Sequence, residues 1–416
     1  MTKPLVVYWN TQPSPYFVDR LNAVVRRGNV DIEAWFNVVR TPERSWHVNE
    51  NQWLFRARYI PQRSFLGRPL NLPFAELNAA KPDVFISLYD RSHFVLGGIA
   101  ARACAQRTAY RVLPNYDTWS KRTWWREISK HILFRALDGA KVPGPEGRKL
   151  TMKYGLPEER SYKVQQTVDV AHFATARAMS PEERAKRHAE LGLKGCVFIY
   201  VGRLWSGKGL TYLVEAFRMV QAKQPDVSLL LVGDGVEEKQ YRDMLADLPH
   251  VAFTGFIQTT ELPQYYALAD VMIFPTLGDP HGLVAEEAMA AGVPVICTEN
   301  AGDIRLRLPD NEAGFIVPPA DSVTLADRML RLAQDPALRQ KFVERATEIV
   351  KPQSPDAYAR DFEAFIQGIL SRPARQTPFA QILRGVGQVL LRTSGSQIPA
   401  AYVPIQQERS YEVAAR

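Results

Sequence analysis

Short apolar runs alternate with longer segments of helical periodicity throughout the second half of the chain. The runs are rich in β-branched residues and predict buried strands at 197–201, 227–232, 251–254, 271–274, 293–296 and 315–317. Between them, apolar positions three or four apart predict helices at 210–223, 237–248, 260–269, 283–291 and 322–334. Strands and helices that alternate at this spacing indicate a doubly wound parallel sheet.

The first half of the chain follows the same plan with a weaker pattern. Strands are predicted at 4–9, 31–36, 84–88 and 110–113, each followed by a loop and a helix. The stretch 40–73 is rich in arginine and aromatic residues and has no regular period. A segment of that length without regular structure is usually functional or mobile in a compact domain.

At 416 residues the chain is long enough for two domains, each with its own core. We therefore expect an α/β protein with Rossmann-like domains at 1–170 and 171–355, the first completed by a helix at 356–370. The tail 371–416 contains one amphipathic helix, which we expect to dock on the protein itself. Its predicted apolar face comprises Phe379, Ile382, Leu383, Val386, Val389 and Leu390.

Composition and charge narrow the class of partner. The chain is 46% hydrophobic and 23% charged, which is typical of a globular protein. Residues 1–168 contain 26 Lys and Arg against 14 Asp and Glu, whereas the remainder contains 26 against 30. The basic half predicts an anionic partner. Because no zinc, helix-turn-helix or RNP pattern accompanies the charge, we expect no nucleic acid and favour an anionic membrane surface or a phosphorylated lipid.

We expect a cytoplasmic protein that associates peripherally with the cytoplasmic face of the membrane. No secretory signal or apolar run of membrane-spanning length is visible, and the three cysteines lack ligand-like spacing. Between Trp119 and Lys130, three tryptophans alternate with four basic residues, which is typical of a headgroup boundary. The alternative is a core-packed helix with a solvated basic face.

The segment 274–297 indicates the chemistry. A strand is followed by a Gly/Pro-rich loop, and the loop brings a helix that starts near Leu283 to the open edge of the sheet. Free N–H groups at a helix start favour an anion, whereas the carboxylates of Asp279 and Glu287 accept hydrogen bonds from hydroxyl groups. Two acids beside an anion site suit a nucleotide-diphosphate sugar. The alternative is an ordinary turn residue and an ordinary first-turn acid.

A second loop, 202–209, follows the strand 197–201. Arg203 offers a rigid multidentate fork and Lys208 a point charge, and together they suit two adjacent phosphates. The order of glycine, lysine and hydroxyl that defines a Walker loop is missing. The alternative for these two residues is a surface ion pair at a strand end.

The two segments together resemble a known family. The sequence D-P-H-G-L-V-A-E-E-A-M-A-A-G-V-P-V-I from Asp279 is similar to the E-x7-E signature of retaining GT-B glycosyltransferases of family GT4, with its acids at Asp279 and Glu287. The first acid is usually Glu, so Asp279 is a departure. The segment 202–209 resembles the G-R-x-x-x-x-K-G element of the family. The resemblance implies two Rossmann-like domains that face a central cleft, with a C-terminal helix that crosses back to the N-terminal domain.

The resemblance also implies roles for individual residues. Asp279 would position the hydroxyls of the donor sugar and Glu287 the ribose, while Arg203 and Lys208 neutralise the diphosphate. These four are the candidate catalytic residues. The other candidates for donor binding are Gly202, Phe256, Ile257, His281, Gly282, Leu283 and Val284.

The acceptor would dock on the N-terminal half. Its candidate contacts are polar residues in two loops that follow predicted strands: Asn10, Thr11, Gln12, Asn115 and Asp117. For the first three, a plain strand-to-helix turn is an equal alternative.

We therefore expect a retaining glycosyltransferase that moves a hexose from a UDP- or GDP-linked sugar to a lipid-linked or glycan acceptor, in cell-surface polysaccharide or glycolipid synthesis. The sequence contains no D-x-D pair, so we expect no metal and no other cofactor. Two alternatives stay open: a nucleotide-sugar-binding scaffold without turnover, and a nucleotide-sugar hydrolase or epimerase on the same fold.

Overall fold

The structure, a computed structural model, describes residues 2–41, 46–89, 91–113, 124–393 and 397–403. The chain forms two compact units. The first unit contains the described residues within 2–112, 124–165 and 358–403, and the second contains 166–357. Each unit is an α/β layer structure around one parallel sheet.

The strands of the described residues are, in chain order, β1 (Leu5–Asn10), β2 (Asp31–Phe36), β3 (Arg56–Tyr59), β4 (Gln62–Phe65), β5 (Arg68–Asn71), β6 (Val84–Ser87), β7 (Arg107–Arg111), β8 (Gly139–Val142), β9 (Ser161–Lys163), β10 (Cys196–Val201), β11 (Val227–Val232), β12 (Val251–Phe253), β13 (Val271–Phe274), β14 (Val295–Thr298) and β15 (Gly314–Val317).

The helices of the described residues are α1 (Pro15–Arg27), α2 (Phe74–Ala80), α3 (Ser92–Ala101), α4 (Trp124–Ala136), α5 (Pro145–Lys153), α6 (Val170–Ala174), α7 (Pro181–Leu191), α8 (Leu210–Lys223), α9 (Glu238–Leu245), α10 (Leu262–Tyr266), α11 (Leu283–Ala291), α12 (Ile304–Arg307), α13 (Ser322–Gln334), α14 (Pro336–Val350), α15 (Pro355–Ser371) and α16 (Pro378–Arg392).

Both sheets have the strand order of a Rossmann fold. In the described residues of the first unit the order is β3-β2-β1-β6-β7-β8-β9, and in the second it is β12-β11-β10-β13-β14-β15. All neighbouring pairs within these two sheets are parallel. The order reverses beside β1 in one unit and beside β10 in the other. Open sheets of this type bind ligands at the carboxyl ends of the strands that flank the reversal.

The predicted fold class is confirmed, since each sheet is doubly wound. All residues of β10 and β11 are buried, which is why these strands are continuous apolar runs rather than alternating ones. Helix α15 returns to the first unit as predicted. Its Tyr358, Phe362 and Phe365 belong to the same buried cluster as Tyr8 of β1.

Several segments differ from the prediction, among them the strand predicted at 110–113, which lies at Arg107–Arg111. The stretch 40–73 is not irregular throughout, because it contains β3 and the hairpin of β4 and β5. β3 is an edge strand whose Arg56 and Arg58 pair with Glu33 of β2. Its sequence is therefore polar and shows no apolar strand pattern. The strand predicted at 293–296 lies at Val295–Thr298.

Helix α16 docks on the first unit as expected, by a face that overlaps the predicted one in part. It packs against α2, α3 and α4, and its buried side includes Gly387, where a Cβ would stand 2.4 Å from the carbonyl oxygen of Ile99. Leu390 of the predicted face is buried there as well, so a small residue and a large apolar one share the contact. Three residues of the predicted docking face are instead exposed: Ile382, Val386 and Val389. We refer to these three as the α16 apolar face.

Within the part of the chain that the structure describes, no helix combines the length and the apolar composition that crossing a bilayer requires.

Phe362 provides a test of the return of α15 to the first unit. Its ring lies 6.3 Å from that of Tyr8, centroid to centroid, and is fully buried. Phe362→Ala should lower the free energy of unfolding of this unit by about 3–5 kcal/mol, measured by urea denaturation. Arg360→Ala, on the exposed side of the same helix, should stay within about 0.5 kcal/mol of the wild type. Equal effects from both substitutions would contradict this packing.

Candidate functional site

The loops that leave β10 and β13 meet at the point where the strand order of the second unit reverses. The N–H of Leu277 donates to the carbonyl of Gly207 at 3.2 Å. Gly209 has a φ of +72°, and a Cβ there would stand 1.9 Å from the carbonyl oxygen of Pro275. Only glycine permits both the left-handed backbone and this close approach. The glycine of the predicted phosphate loop is thus required to join the two loops.

An ion pair connects the two loops through their side chains. The ammonium of Lys208 lies 2.5 Å from Oδ2 of Asp279, and both side chains are mostly but not fully buried. The structure therefore brings together the predicted phosphate-binding cation and the predicted sugar-binding acid.

The other oxygen of Asp279 holds the loop directly ahead of helix α11. Its Oδ1 accepts hydrogen bonds from the N–H groups of His281 at 2.9 Å and Gly282 at 2.6 Å. Burial alone would raise the pKa of Asp279, but the ammonium of Lys208 and the two N–H groups outweigh it and hold that pKa below its usual value. Asp279 is thus a carboxylate with a fixed orientation.

Helix α11 begins at the same place. Gly282 precedes it with a φ of +78°, and a Cβ there would stand 2.6 Å from the ring of Phe274. Among the described residues no side-chain cap is present at the N-terminus of the helix, so its first N–H groups, on Leu283 and Val284, are donors suited to an anion. The binding of a diphosphate at this position stays a prediction.

Glu287 lies inside the helix and is fully buried. Its Oε2 accepts a hydrogen bond of 2.9 Å from the hydroxyl of Tyr266, which also lies 3.3 Å from the carbonyl oxygen of Val284. Tyr266 could not be predicted from the sequence, because it lies on α10, a short helix separated from Glu287 by a complete strand and loop.

The side chain of His281 does not face the phosphate site. It is 5% exposed, and its Nε2 lies 3.0 Å from Oε2 of Glu286. Burial and the guanidinium of Arg307 lower the pKa of His281, so the ring is neutral near pH 7 and donates to the carboxylate. As a donor-binding candidate, His281 contributes its backbone to the loop rather than its ring.

Arg307 completes a buried network beneath the loop. Its Nη1 lies 2.9 Å from Oε1 of Glu286, and its Nη2 donates to the carbonyls of His281 and Ala301. Burial alone would raise the pKa of Glu286, but Arg307 and His281 hold it below its usual value. We call His281, Glu286 and Arg307 the loop-support network. The pairing of Glu286 with Arg307 could not be predicted from the sequence, since no local pattern connects these two positions.

The remaining donor-site candidates lie nearby in the same unit. Gly202 follows β10, and the guanidinium of Arg203 lies 5.3 Å above the ring of Trp205 on an exposed side chain. Phe256 and Ile257 are half-buried in the loop after β12. The joint action of Arg203 and Lys208 on two adjacent phosphates stays a prediction.

The acceptor candidates of the first unit have internal hydrogen bonds. Gln12 is buried, and its Oε1 accepts from the N–H of Thr41 at 2.7 Å, while the carbonyl of Thr11 accepts from Asn37. Asn10 bonds the N–H of Thr11 at 2.9 Å. These residues hold the loop after β1, and their contact with an acceptor stays a prediction. Asn115 and Asp117 lie outside the described residues.

The same edge of the first unit holds a polar chain that the sequence did not predict. The indole N–H of Trp9 donates to Oδ1 of Asn37 at 2.8 Å, and Nδ2 of Asn37 donates to Nε2 of His93 at 2.9 Å. Burial and the charge of Arg91 lower the pKa of His93 to about 4. His93 is therefore neutral near pH 7.

Comparisons with known proteins agree with this geometry. Residues 195–335 match the family model described as glycosyl transferases group 1. Over 146 residues, the chain is 36% identical to a phosphatidyl-myo-inositol mannosyltransferase of Mycobacterium leprae, covering 35% of this chain and 38% of that protein. It is 31% identical over 280 residues to a D-inositol 3-phosphate glycosyltransferase of Acidothermus cellulolyticus, covering 61% of each. This chain thus spans less than two thirds of either relative.

The crystal structure of HepE from Anabaena in complex with UDP has the same fold. It matches with a TM-score of 0.71 at 18% identity, over 88% of this chain and all of HepE. Residues 195–335 of the second unit are therefore similar to the glycosyl transferases group 1 family, and the chain has the GT-B fold that its sequence predicted.

The loop-support network can be tested through stability. Arg307→Met leaves the carboxylate of Glu286 buried without its guanidinium and should lower the free energy of unfolding of the second unit by about 3–5 kcal/mol. Adding Glu286→Gln should recover part of this loss, because the uncompensated charge is then removed. Arg305→Met, on an exposed side chain of the same short helix, is the control. Losses of similar size in the two single variants, measured by chemical denaturation, would contradict the network.

Proposed function

We propose that this protein is a retaining, metal-independent glycosyltransferase. It would move a hexose from a UDP- or GDP-linked sugar to a lipid-linked or glycan acceptor in cell-surface polysaccharide or glycolipid synthesis. The observation that carries the proposal is the meeting of Lys208, Asp279 and the start of α11 at the strand-order reversal of the second unit. The glycosyltransferase names of the relatives, and the UDP in the HepE structure, support the same class of reaction and donor.

The ion pair suggests how the donor enters. Without a donor, Lys208 and Asp279 neutralise each other. A diphosphate beside the N–H groups of Leu283 and Val284 would accept hydrogen bonds from Lys208, and Oδ2 of Asp279 would then be available to a sugar hydroxyl. The ammonium keeps an anionic partner throughout the exchange, because a phosphate oxygen replaces one carboxylate oxygen.

Charge stabilisation accounts for the chemical step. As the bond between the anomeric carbon and the phosphate oxygen breaks, negative charge grows on the leaving diphosphate. Lys208, Arg203 and the start of α11 would stabilise that charge without a metal ion. In the scheme that the GT4 resemblance implies, the acceptor hydroxyl attacks on the same face and its proton passes to the leaving phosphate. Asp279 holds the sugar and Glu287 the ribose, and the protein supplies no nucleophile.

A donor screen separates this function from its alternatives. Purified protein is offered UDP- and GDP-linked hexoses with and without a crude lipid extract, and release of nucleoside diphosphate is measured. Release that depends on the extract supports transfer to an acceptor. Equal release without extract indicates a hydrolase, and donor binding without release indicates a scaffold.

Substitution of Lys208 is the most direct single test of the donor site. Lys208→Ala removes a cation that faces the developing charge and should lower kcat/KM by about 100-fold or more, equivalent to ~3 kcal/mol of transition-state stabilisation. Lys239→Ala is a matched control, since Lys239 is a highly exposed lysine of the same unit. If kcat/KM of the Lys208 variant equals that of the control, the donor site is wrongly assigned.

We also propose that the first unit associates with an anionic membrane. Trp124, Trp125 and Ile128 of α4 are exposed by 77%, 54% and 50%, and the guanidinium of Arg126 lies 5.3 Å above the ring of Trp125. The α16 apolar face belongs to a helix that packs against α4. Exposed indoles beside a basic residue suit a headgroup boundary.

The structure corrects part of the prediction for this surface. Lys130 is one of the four basic residues expected there, but it is buried and pairs with Glu127 at 3.2 Å. Trp125 and Ile128, which the alternative of a core-packed helix would bury, are exposed. Trp119, Lys121 and Arg122 lie outside the described residues.

Liposome flotation tests the membrane surface. The wild type should float with anionic vesicles at low salt and be released at high salt, because headgroup attraction is screened. Trp124→Ala together with Trp125→Ala should lower the partition coefficient about tenfold or more, since two apolar side chains no longer insert. Leu306→Ala, an exposed apolar residue of the second unit, is the control. If the wild-type protein does not bind anionic vesicles, the hypothesis of a soluble glycan acceptor is favoured.

A further inference from the structure

Three side chains form a hydrogen-bonded chain across the strand-order reversal of the first unit. Trp9 lies on β1, Asn37 directly follows β2, and His93 is the second residue of α3, the helix that follows β6. In this sheet the order reverses between β1 and β6. The crevice beside such a reversal is where open parallel sheets bind ligands. We call Trp9, Asn37 and His93 the edge chain.

The direction of each hydrogen bond in the edge chain follows from Trp9. Its indole N–H can only donate, so the atom of Asn37 that accepts it at 2.8 Å is the carbonyl oxygen Oδ1. The amide nitrogen of Asn37 then donates to Nε2 of His93 at 2.9 Å. Because Nε2 offers its lone pair, the single hydrogen of the neutral His93 ring lies on Nδ1.

The edge chain is held in place by its surroundings. The N–H of Asn37 donates to the carbonyl of Thr11 at 3.0 Å. Helix α3 packs closely on Trp9, since a Cβ at Gly97 would stand 2.2 Å from the indole ring. The indole ring lies 5.9 Å from the ring of His93, centroid to centroid. The imidazole therefore has a fixed position and a fixed tautomer.

The edge chain runs from the core towards the surface. Trp9 is fully buried and Asn37 is 8% exposed, whereas His93 is half-buried. In the part of the chain that the structure describes, the hydrogen bond from Asn37 engages Nε2 of His93, and none engages Nδ1. Completing the hydrogen bonds of Trp9 and Asn37 requires Nε2 alone. The N–H at Nδ1 is therefore a donor that these internal contacts do not use.

We propose that His93 is a positioning residue that donates its Nδ1–H to a sugar hydroxyl of the acceptor. The assignment of this hydroxyl to the acceptor rests on the proposed function, whereas the donor itself follows from the edge chain. A neutral N–H suits a neutral hydroxyl oxygen, while a phosphate would favour a cation. The source of the hydroxyl is either a soluble glycan or the sugar headgroup of a lipid.

The same tautomer excludes His93 as a general base, because Nε2 is engaged and Nδ1 already carries a hydrogen. A hydroxyl that accepts from Nδ1 keeps its own hydrogen but becomes less nucleophilic. The contact therefore suits a hydroxyl beside the reacting one. We expect His93 to contribute to the binding of the acceptor in the ground state and the transition state alike, and so to KM rather than kcat.

The tautomer can be measured directly. Long-range ¹H–¹⁵N correlation spectra of the full-length protein with ¹⁵N-labelled histidine distinguish a protonated Nδ1 from a protonated Nε2. His93 should show the Nδ1–H form at pH 7. It should stay neutral down to about pH 5, because burial and the charge of Arg91 lower its pKa to about 4. An Nε2–H form would overturn the proposal.

Two substitutions separate the two nitrogens of the ring. The carboxamide of glutamine reaches the position of Nε2, and that of asparagine reaches only the position of Nδ1. His93→Gln keeps an acceptor for Asn37, so it should melt near the wild type but raise the KM for the acceptor about fivefold or more. His93→Asn should melt about 2–4 °C lower and raise this KM less. Lys163→Gln, at an exposed lysine of β9, should change neither value.

The KM in this comparison is the concentration of extract that gives half-maximal release of nucleoside diphosphate. It is measured with a crude lipid extract and with a water-soluble glycan extract, and the extract that supports release identifies the source of the hydroxyl. If the KM rises more in His93→Asn than in His93→Gln, so that it follows the loss of stability, His93 is structural and the proposal is wrong.

A binding test does not depend on glycosyl transfer. Methyl glucoside, methyl galactoside and methyl mannoside carry sugar hydroxyls without a phosphate. At least one of them should shift the ¹⁵N signals of His93 in a saturable manner, while the signals of the other histidines serve as an internal control. No saturable shift with any of the three would overturn the sugar assignment. A shift without extract-dependent release in the donor screen would support the sugar contact and contradict the transferase, so the two hypotheses fail separately.

Discussion

The pairing of Lys208 with Asp279 determines the form of the second unit at its functional edge. The two residues come from loops that leave neighbouring strands on either side of the strand-order reversal, and their contact requires the close backbone approach at Gly209. The start of α11 is set by the same acid, because Asp279 accepts the N–H groups of His281 and Gly282. Cation, acid and helix start therefore form one unit of structure.

Much of the fold could be predicted from the sequence because the central strands are buried on both faces. The bounds of β11, β13, α8 and α11 agree with the prediction, since apolar runs there end at glycine, proline or polar residues. β3 could not be predicted in this way. It is an edge strand stabilised by arginines that pair with acids of β2, so it has no apolar period.

The same distinction holds for the site: residues of a local sequence motif could be predicted, and residues contributed by distant elements could not. Asp279, Glu287 and Lys208 belong to local patterns and could be named in advance. Arg307 and Tyr266 could not, because each reaches its partner from a different element of the chain. The contact face of α16 was predicted only in part for a related reason. A hydrophobic pattern emphasises large residues, whereas the close approach at Gly387 depends on the absence of a side chain.

The two hydrogen bonds that Asp279 accepts directly ahead of α11 have a consequence for the motion of the proposed site. An acid one methylene longer would have more rotamers and would bond the N–H groups two and three residues ahead less firmly. In the proposed function the carboxylate is oriented before a donor arrives, and only the flexible lysine must change partner. The reorganisation that would accompany donor entry is thereby confined to one side chain. A site built in this way has little to rearrange once charge begins to separate, which is the condition under which fixed dipoles act most strongly.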